Sequence, residues 1–186
     1  MQRVFAWPYR GILAFLLWTG IRPWQLTLLS LALTAVTGIL IVIGQWLAAG
    51  IVLIFAGAAD VFDGSVARHR GEARRAGAFL DSVLDRISDM ILFSCLFWRL
   101  AADGRTLEAA LALVTLVVSM AVSHVRAEAE AAGVTLTEGL FQRLERVLAL
   151  IVGLLIPGAM MPVLVALSAL GVITVVQRVF GALRSA

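Results

Sequence analysis

Residues 46–68 read WLAAGIVLIFAGAADVFDGSVAR, an apolar run long enough to cross a bilayer, with two aspartates near its end. A membrane-spanning helix needs about 20 mainly apolar residues. An acidic side chain deep in a bilayer costs about 2.5–3.5 kcal/mol and usually marks a functional site. This stretch therefore predicts a membrane helix that carries carboxylates for a function.

The composition of the whole chain is that of a membrane protein. Of its 186 residues, 61% are hydrophobic and 15% are charged, against about 45–50% and about 25% in soluble domains. One water-soluble core of this length cannot bury so much apolar surface, which excludes a soluble globular protein. The same composition excludes a disordered chain and a disulfide-rich scaffold. All 15 basic residues are arginine, and arginine at the cytoplasmic ends of spans explains the basic balance without a nucleic-acid partner.

The N-terminal segment, residues 1–20, predicts an interfacial amphipathic helix. Its apolar part is too short to span a bilayer, and no small-residue cleavage site of a signal peptide follows it. Residues 24–180 then predict a six-helix transmembrane bundle, so that the fold class is all-α integral membrane. One membrane domain would cover residues 1–186.

The six predicted spans follow from the apolar runs. They are Trp24–Ile43, Trp46–Ala67, Gly77–Trp98, Thr106–Arg126, a fifth that begins near Gly139, and Val163–Val179. Pro157, Gly158 and Pro162 divide the last apolar stretch, which is too long for one span. A five-span arrangement with one tilted final helix is the alternative.

The distribution of arginine predicts the orientation. With both termini in the cytoplasm, twelve arginines lie on the cytoplasmic side and two, Arg99 and Arg105, lie outside. Cytoplasmic loops are enriched in basic residues. We therefore expect a multi-pass protein with its active site on the cytoplasmic side, and the lysine-free, alanine-rich composition favours a prokaryotic inner membrane.

Five aspartates lie in the second and third predicted spans, at positions 60, 63, 81, 85 and 89. Asp60 and Asp63 share one helix face, and the other three form a stripe along the next helix. Because a short connector makes these helices antiparallel neighbours, we expect the carboxylates to converge. Clustered oxygens without nearby His or Cys favour a hard divalent cation. Asp89 has the alternative interpretation of a solvated residue near the end of a span.

The motif DVFDGSVAR at residues 60–68, followed by Gly77, Asp81 and Asp85, fits D-x2-D-G-x2-A-R-x8-G-x3-D-x3-D at every fixed position. In this the chain resembles the CDP-alcohol phosphatidyltransferase family. The resemblance implies an enzyme that transfers a phosphatidyl group from CDP-diacylglycerol, or an archaeal CDP-lipid, to an alcohol and releases CMP. It also implies a homodimer.

The same resemblance implies roles for individual residues. The ligands of two Mg²⁺ or Mn²⁺ ions are Asp60, Asp63, Asp81 and Asp85. Asp85 is also the general base on the acceptor hydroxyl. The CDP site is formed by Thr27, Gly64, Ala67, Arg68 and Gly77. Family members often carry Asn or Asp where this chain has Trp24, and in this position the chain departs from the family pattern.

Arg126, Arg143 and Arg146 are predicted to bind the phosphate of a phosphorylated polyol acceptor, because a guanidinium can grip a phosphate bidentately. The stretches SHVRAEAE at residues 123–130 and RLER at residues 143–146 resemble the phosphatidylinositol phosphate synthase branch of the family. That branch uses inositol 1-phosphate, and glycerol 3-phosphate is the alternative acceptor. Ordinary anchoring at the membrane surface is the alternative role of these arginines.

Two other functions are consistent with intramembrane aspartates. A cation channel or transporter would use them as a pathway, but it predicts acids on several helices across the bilayer. An inactive lipid-binding relative would be expected to lose a metal ligand. The grouping of the acids on two helices and the complete motif favour the enzyme.

Overall fold

The structure is a computed structural model that describes residues 6–71, 75–134 and 143–185. Over these ranges helices are joined by short turns and no strand is present, as predicted. The helices are α1 (Ala6–Trp18), α2 (Pro23–Val42), α3 (Trp46–His69), α4 (Arg75–Ala102), α5 (Thr106–Ala131), α6 (Arg143–Leu155) and α7 (Met160–Ser185).

Six of the helices form a closed ring, and α1 packs on the outside of α3. α2 packs against α3 and α4, α5 against α4 and α7, and α6 against α3 and α7. The prediction that α3 and α4 are neighbours is wrong for the described residues, because α2 lies between them. The Ser30 hydroxyl of α2 donates to the Ala56 carbonyl at 2.9 Å, and Gly38 on α2 admits the Cys95 side chain of α4. Both helices therefore approach α2 closely.

The interior of the ring is apolar at one end and charged at the other. Large side chains that are at most 1% exposed fill the apolar end, among them Ile41, Leu53, Phe93, Leu96 and Leu150. This end contains the turns that join α2 to α3, α4 to α5, and α6 to α7. The motif aspartates lie toward the opposite ends of the same helices, so that the polar groups gather at one end.

Four helices are long and apolar enough to cross a membrane, namely Pro23–Val42, Trp46–His69, Thr106–Ala131 and Met160–Arg184. α4 is longer than any of these, but it carries five charged residues between positions 81 and 99. The described part of α6 has 13 residues. The chain is thus an all-helical membrane protein.

Several helices are longer than predicted. α4 extends beyond both ends of Gly77–Trp98, and α5 continues for five residues past Arg126. Those residues, AEAEA at 127–131, are good helix formers. α7 extends beyond Val163–Val179 and contains Pro162 in its first turn, where a missing N–H interrupts no helical hydrogen bond.

The structure does not test two predictions about the helices. The predicted start of the fifth span near Gly139 lies outside the described residues. α1 falls within the predicted interfacial segment, and its described side chains from Ile12 to Trp18 are all apolar. Its amphipathic character therefore stays a prediction.

Candidate active site

Three aspartates form a compact acidic cluster at the charged end of the ring. Asp60 and Asp63 belong to α3 and Asp81 to α4, and one carboxylate oxygen of each lies within 4.8 Å of the others. Asp63 is 7% exposed, and its buried Oδ2 has no hydrogen-bond partner among the described residues. Oxygen donors alone, one of them buried without a partner, suit a hard divalent cation.

Asp85, the fourth predicted metal ligand, lies beside this cluster rather than within it. Its Oδ1 is 2.7 Å from Nη1 of Arg143 in an ion pair. The same Arg143 nitrogen also donates to Asp60. Arg143 thereby ties α6 to both acidic helices, across the interior of the ring.

The residues predicted to bind CDP lie on the three helices around the cluster. The Thr27 hydroxyl of α2 donates to the Pro23 carbonyl at 3.2 Å. A Cβ at Gly64 would lie 3.3 Å from Nη1 of Arg68, so glycine leaves room for the guanidinium to fold back against α3. A Cβ at Gly77 would meet nothing within 4 Å, so that this backbone face is open to an incoming group. Ala67 is half-buried on α3.

A cavity of about 460 Å³ lies between α4, α5, α6 and α7. All three arginines predicted to bind the acceptor phosphate line it: Arg126, Arg143 and Arg146. Asp81 and Asp85 line it as well, so the acidic and basic groups face one space. The volume falls within the range of about 300–1,000 Å³ that is typical of small-molecule sites.

The three arginines are held in different ways. Arg126 is exposed and pairs with Glu130 one turn further along α5, at 2.8 Å. Arg146 is buried, and its Nη2 donates to Asp89 at 2.8 Å. Asp89 is 3% exposed and also accepts a hydrogen bond from Ser119. The interpretation of Asp89 as a solvated residue is therefore wrong, because it is the counter-charge of a buried arginine.

Two more arginines line the cavity and were not predicted to do so. Arg178 of α7 is 6% exposed and donates to the Val122 carbonyl at 2.9 Å. Arg86 of α4 donates to the Ser123 carbonyl at 3.3 Å. The arginine count placed Arg178 among the cytoplasmic anchors. Arg178 lies within the last predicted span, six residues before Arg184. That position could have indicated a residue inside the bundle, whereas an anchor lies at the end of the chain.

Comparison with known proteins agrees with this geometry. The family model for CDP-alcohol phosphatidyltransferases matches residues 21–183. The chain belongs to this family. It is therefore a CDP-alcohol phosphatidyltransferase, as the motif indicated.

Several relatives of this chain are phosphatidylinositol phosphate synthases. The one from Corynebacterium glutamicum is 38% identical over 166 residues, which are 85% of this chain and 76% of the relative. The Mycobacterium tuberculosis enzyme with CDP-DAG bound superposes with a TM-score of 0.83 at 32% identity and 92% coverage of both chains. The same enzyme in complex with manganese and citrate gives a TM-score of 0.83 at 32% identity, covering 94% of this chain and 88% of that one. The manganese in that relative and the acidic cluster here both support a metal-dependent transferase.

Proposed function

We propose that this chain is a phosphatidylinositol phosphate synthase. It transfers the phosphatidyl group of CDP-diacylglycerol to a hydroxyl of inositol 1-phosphate and releases CMP. The observation that carries the proposal is a cavity that is lined both by Asp81 and Asp85 and by Arg126, Arg143 and Arg146. Carboxylates at one side of a space and arginines at another suit an acceptor that carries its own phosphate.

Two divalent ions, Mg²⁺ or Mn²⁺, would be held by Asp60, Asp63, Asp81 and Asp85. When bound, such ions supply positive charge that stabilises the phosphoryl group and the leaving oxygen. The acidic cluster and the buried Asp63 oxygen without a partner support this assignment. Arg143, which contacts Asp60 and Asp85, reduces the repulsion between the carboxylates.

Asp85 is the proposed general base. It faces the cavity in which the acceptor would bind, and the ion pair with Arg143 orients its carboxylate. The acceptor hydroxyl oxygen attacks the phosphorus that carries diacylglycerol, and its proton passes to Asp85. The bond between that phosphorus and the CMP oxygen breaks, and CMP leaves.

The acceptor phosphate is bound by Arg126, Arg143 and Arg146 in this proposal, and Arg178 joins them because it lines the same cavity. The buried Nε of Arg146 has no hydrogen-bond partner among the described residues. It is therefore a donor that a phosphate oxygen can satisfy. Arg143 connects the acceptor phosphate to the acidic end of the site.

The nucleotide end of CDP-diacylglycerol binds at Thr27, Gly64, Ala67, Arg68 and Gly77. The open backbone at Gly77 supports close approach of a phosphate, and the Arg68 guanidinium lies beside Gly64. The Arg68 guanidinium supplies a charge-assisted hydrogen bond to that phosphate. An archaeal CDP-lipid would fit the same chemistry, because the headgroup is the same.

The proposed placement in the membrane follows from the ring. Its six helices, α2 to α7, span the bilayer as one domain within residues 1–186, and α1 lies in the interface as an amphipathic helix. Both termini and the charged end of the ring face the cytoplasm of a prokaryotic cell, where the acceptor and CMP are soluble. The protein forms a homodimer in the inner membrane. The twelve-to-two arginine distribution supports this orientation.

Glycerol 3-phosphate is the second candidate acceptor, since the cavity arginines would also bind its phosphate. The channel alternative is disfavoured, because apolar side chains fill the other end of the ring in the described residues. A continuous polar path across the bilayer would have to pass through that region.

Release of CMP by the purified protein tests the proposal. CDP-diacylglycerol and Mg²⁺ are supplied with inositol 1-phosphate, glycerol 3-phosphate or inositol. We expect CMP release with inositol 1-phosphate and none from an Asp63→Asn control. CMP release with glycerol 3-phosphate alone would show that glycerol 3-phosphate is the acceptor. No CMP release with any acceptor would refute the proposed enzyme activity.

A further inference from the structure

The N-terminal helix α1 is connected to the motif helix α3 by hydrogen bonds that end at Arg68. The Tyr9 hydroxyl donates to Ser65 Oγ at 2.7 Å. Nη2 of Arg68 donates to the same oxygen at 3.2 Å. The Tyr9 ring also stacks on Phe62, with ring centroids 5.3 Å apart.

Ser65 uses its full hydrogen-bonding capacity in this arrangement. A hydroxyl has one proton to donate and two lone pairs that accept. Ser65 donates to the Val61 carbonyl at 3.0 Å and accepts from Tyr9 and Arg68. It is 2% exposed, so water does not readily replace a lost partner. Tyr9 and Arg68 thus donate to the same hydroxyl oxygen, whose proton is directed at Val61.

Other contacts keep α1 in place against α3. Leu13 is 5% exposed and packs in an apolar cluster with Phe62 and Val66. Arg70 donates to the Leu17 carbonyl at 3.3 Å and to the carbonyl of the glycine that follows α1 at 3.2 Å. A cation at a helix C-terminus complements its unpaired carbonyls. α1 therefore has a defined position beside the motif.

We propose that Tyr9 is a positioning residue for the CDP-lipid. Acting through Ser65, it holds the Arg68 guanidinium beside Gly64, from where the guanidinium would donate to the pyrophosphate of the lipid. This inference rests on the proposed function, in which Arg68 belongs to the CDP site. It makes α1 part of the active site as well as a membrane contact.

The test variant is Tyr9→Phe, which keeps the ring on Phe62 and removes the hydroxyl. Loss of one hydrogen bond predicts a KM for CDP-diacylglycerol raised roughly 2- to 10-fold, with kcat and the KM for inositol 1-phosphate little changed. Ser65→Ala should act in the same direction, and the double variant should be no worse than Ser65→Ala alone. Ser168→Ala is the matched control, because it removes a buried hydroxyl that meets Thr115 at 3.0 Å between α5 and α7.

Three results would overturn the proposal. They are an unchanged KM for CDP-diacylglycerol in Tyr9→Phe, an equal rise in both KM values, or additive effects of Tyr9→Phe and Ser65→Ala. If the unmodified protein releases no CMP, the proposed function fails, and calorimetric binding of CDP then tests Tyr9 by itself. A dissociation constant raised roughly 2- to 10-fold in Tyr9→Phe supports the role, and an unchanged one refutes it.

Discussion

Substitution of Asp89 by asparagine removes one charge from a buried ion pair and leaves the shape of the side chain nearly unchanged. Asp89 on α4 and Arg146 on α6 are joined at 2.8 Å, although their helices do not pack against each other in the described residues. The pair is thus a direct link across the interior of the ring. We expect Asp89→Asn to weaken the whole bundle.

The expected size follows from burial. The Arg146 and Asp89 side chains are 9% and 5% exposed, and a buried charge left without its partner costs about 3–5 kcal/mol. At about 2–4 °C for each kcal/mol in a chain of this size, the Tm should fall by about 6–20 °C. The Arg126–Glu130 pair is 57% and 55% exposed and contributes at most about 1 kcal/mol. Glu130→Gln should therefore lower the Tm by less than about 4 °C.

Thermal unfolding in detergent can be followed with a thiol-reactive dye, because Cys95 is the one cysteine of the chain. Its sulfur lies against Gly38 of α2, so the dye reports separation of α2 from α4. The double variant Asp89→Asn with Arg146→Gln should recover most of the lost Tm, because no unpaired buried charge remains in it.

Two outcomes would refute this reasoning. One is a Tm for Asp89→Asn that is no lower than that of Glu130→Gln. The other is a double variant whose loss equals the sum of the two single losses, since independent contributions would show that the two charges do not interact.

Three other predictions concern the reaction. Asp85→Asn should abolish CMP release and leave CDP-diacylglycerol binding largely unchanged, because it removes the base; turnover at the unmodified rate would contradict that role. EDTA should stop CMP release, and added Mg²⁺ or Mn²⁺ should restore it; activity that survives chelation would contradict the metal site. Arg126→Gln should raise the KM for inositol 1-phosphate about tenfold or more without changing that for CDP-diacylglycerol, and its exposed side chain spares the fold; an equal rise in both would argue against a phosphate contact.

The sequence was sufficient for the local and compositional features. The apolar runs predicted the helices, and the spacing of Asp60 and Asp63 predicted one shared helix face. The carboxylates of Asp60, Asp63 and Asp81 do converge, although the adjacency of α3 and α4 from which convergence was expected is wrong. The helices and the shared face depend on helix periodicity, which acts over a few residues. The end of α5 and the start of α7 were less predictable. The segment AEAEA is polar enough to suggest a loop, and Pro162 suggests a helix break, but both are compatible with a helix at those positions.

The tertiary structure decided how those helices are arranged. The short connector suggested that α3 and α4 are adjacent, but both pack on α2, whose Ser30 and Gly38 permit close approach on two faces. The interior left between them is where Arg143 reaches Asp60 and Asp85.

The sequence by itself determined that this is a helical membrane protein with a complete family motif, because hydropathy and residue spacing are properties of the chain. Only the tertiary structure decided that Asp89 is the buried partner of Arg146, that Arg178 lines the cavity, and that Tyr9 contacts the motif through Ser65. The physical reason is that a charge or hydroxyl is placed by partners 56 or 57 residues away along the chain. No pattern within one helix specifies such a partner.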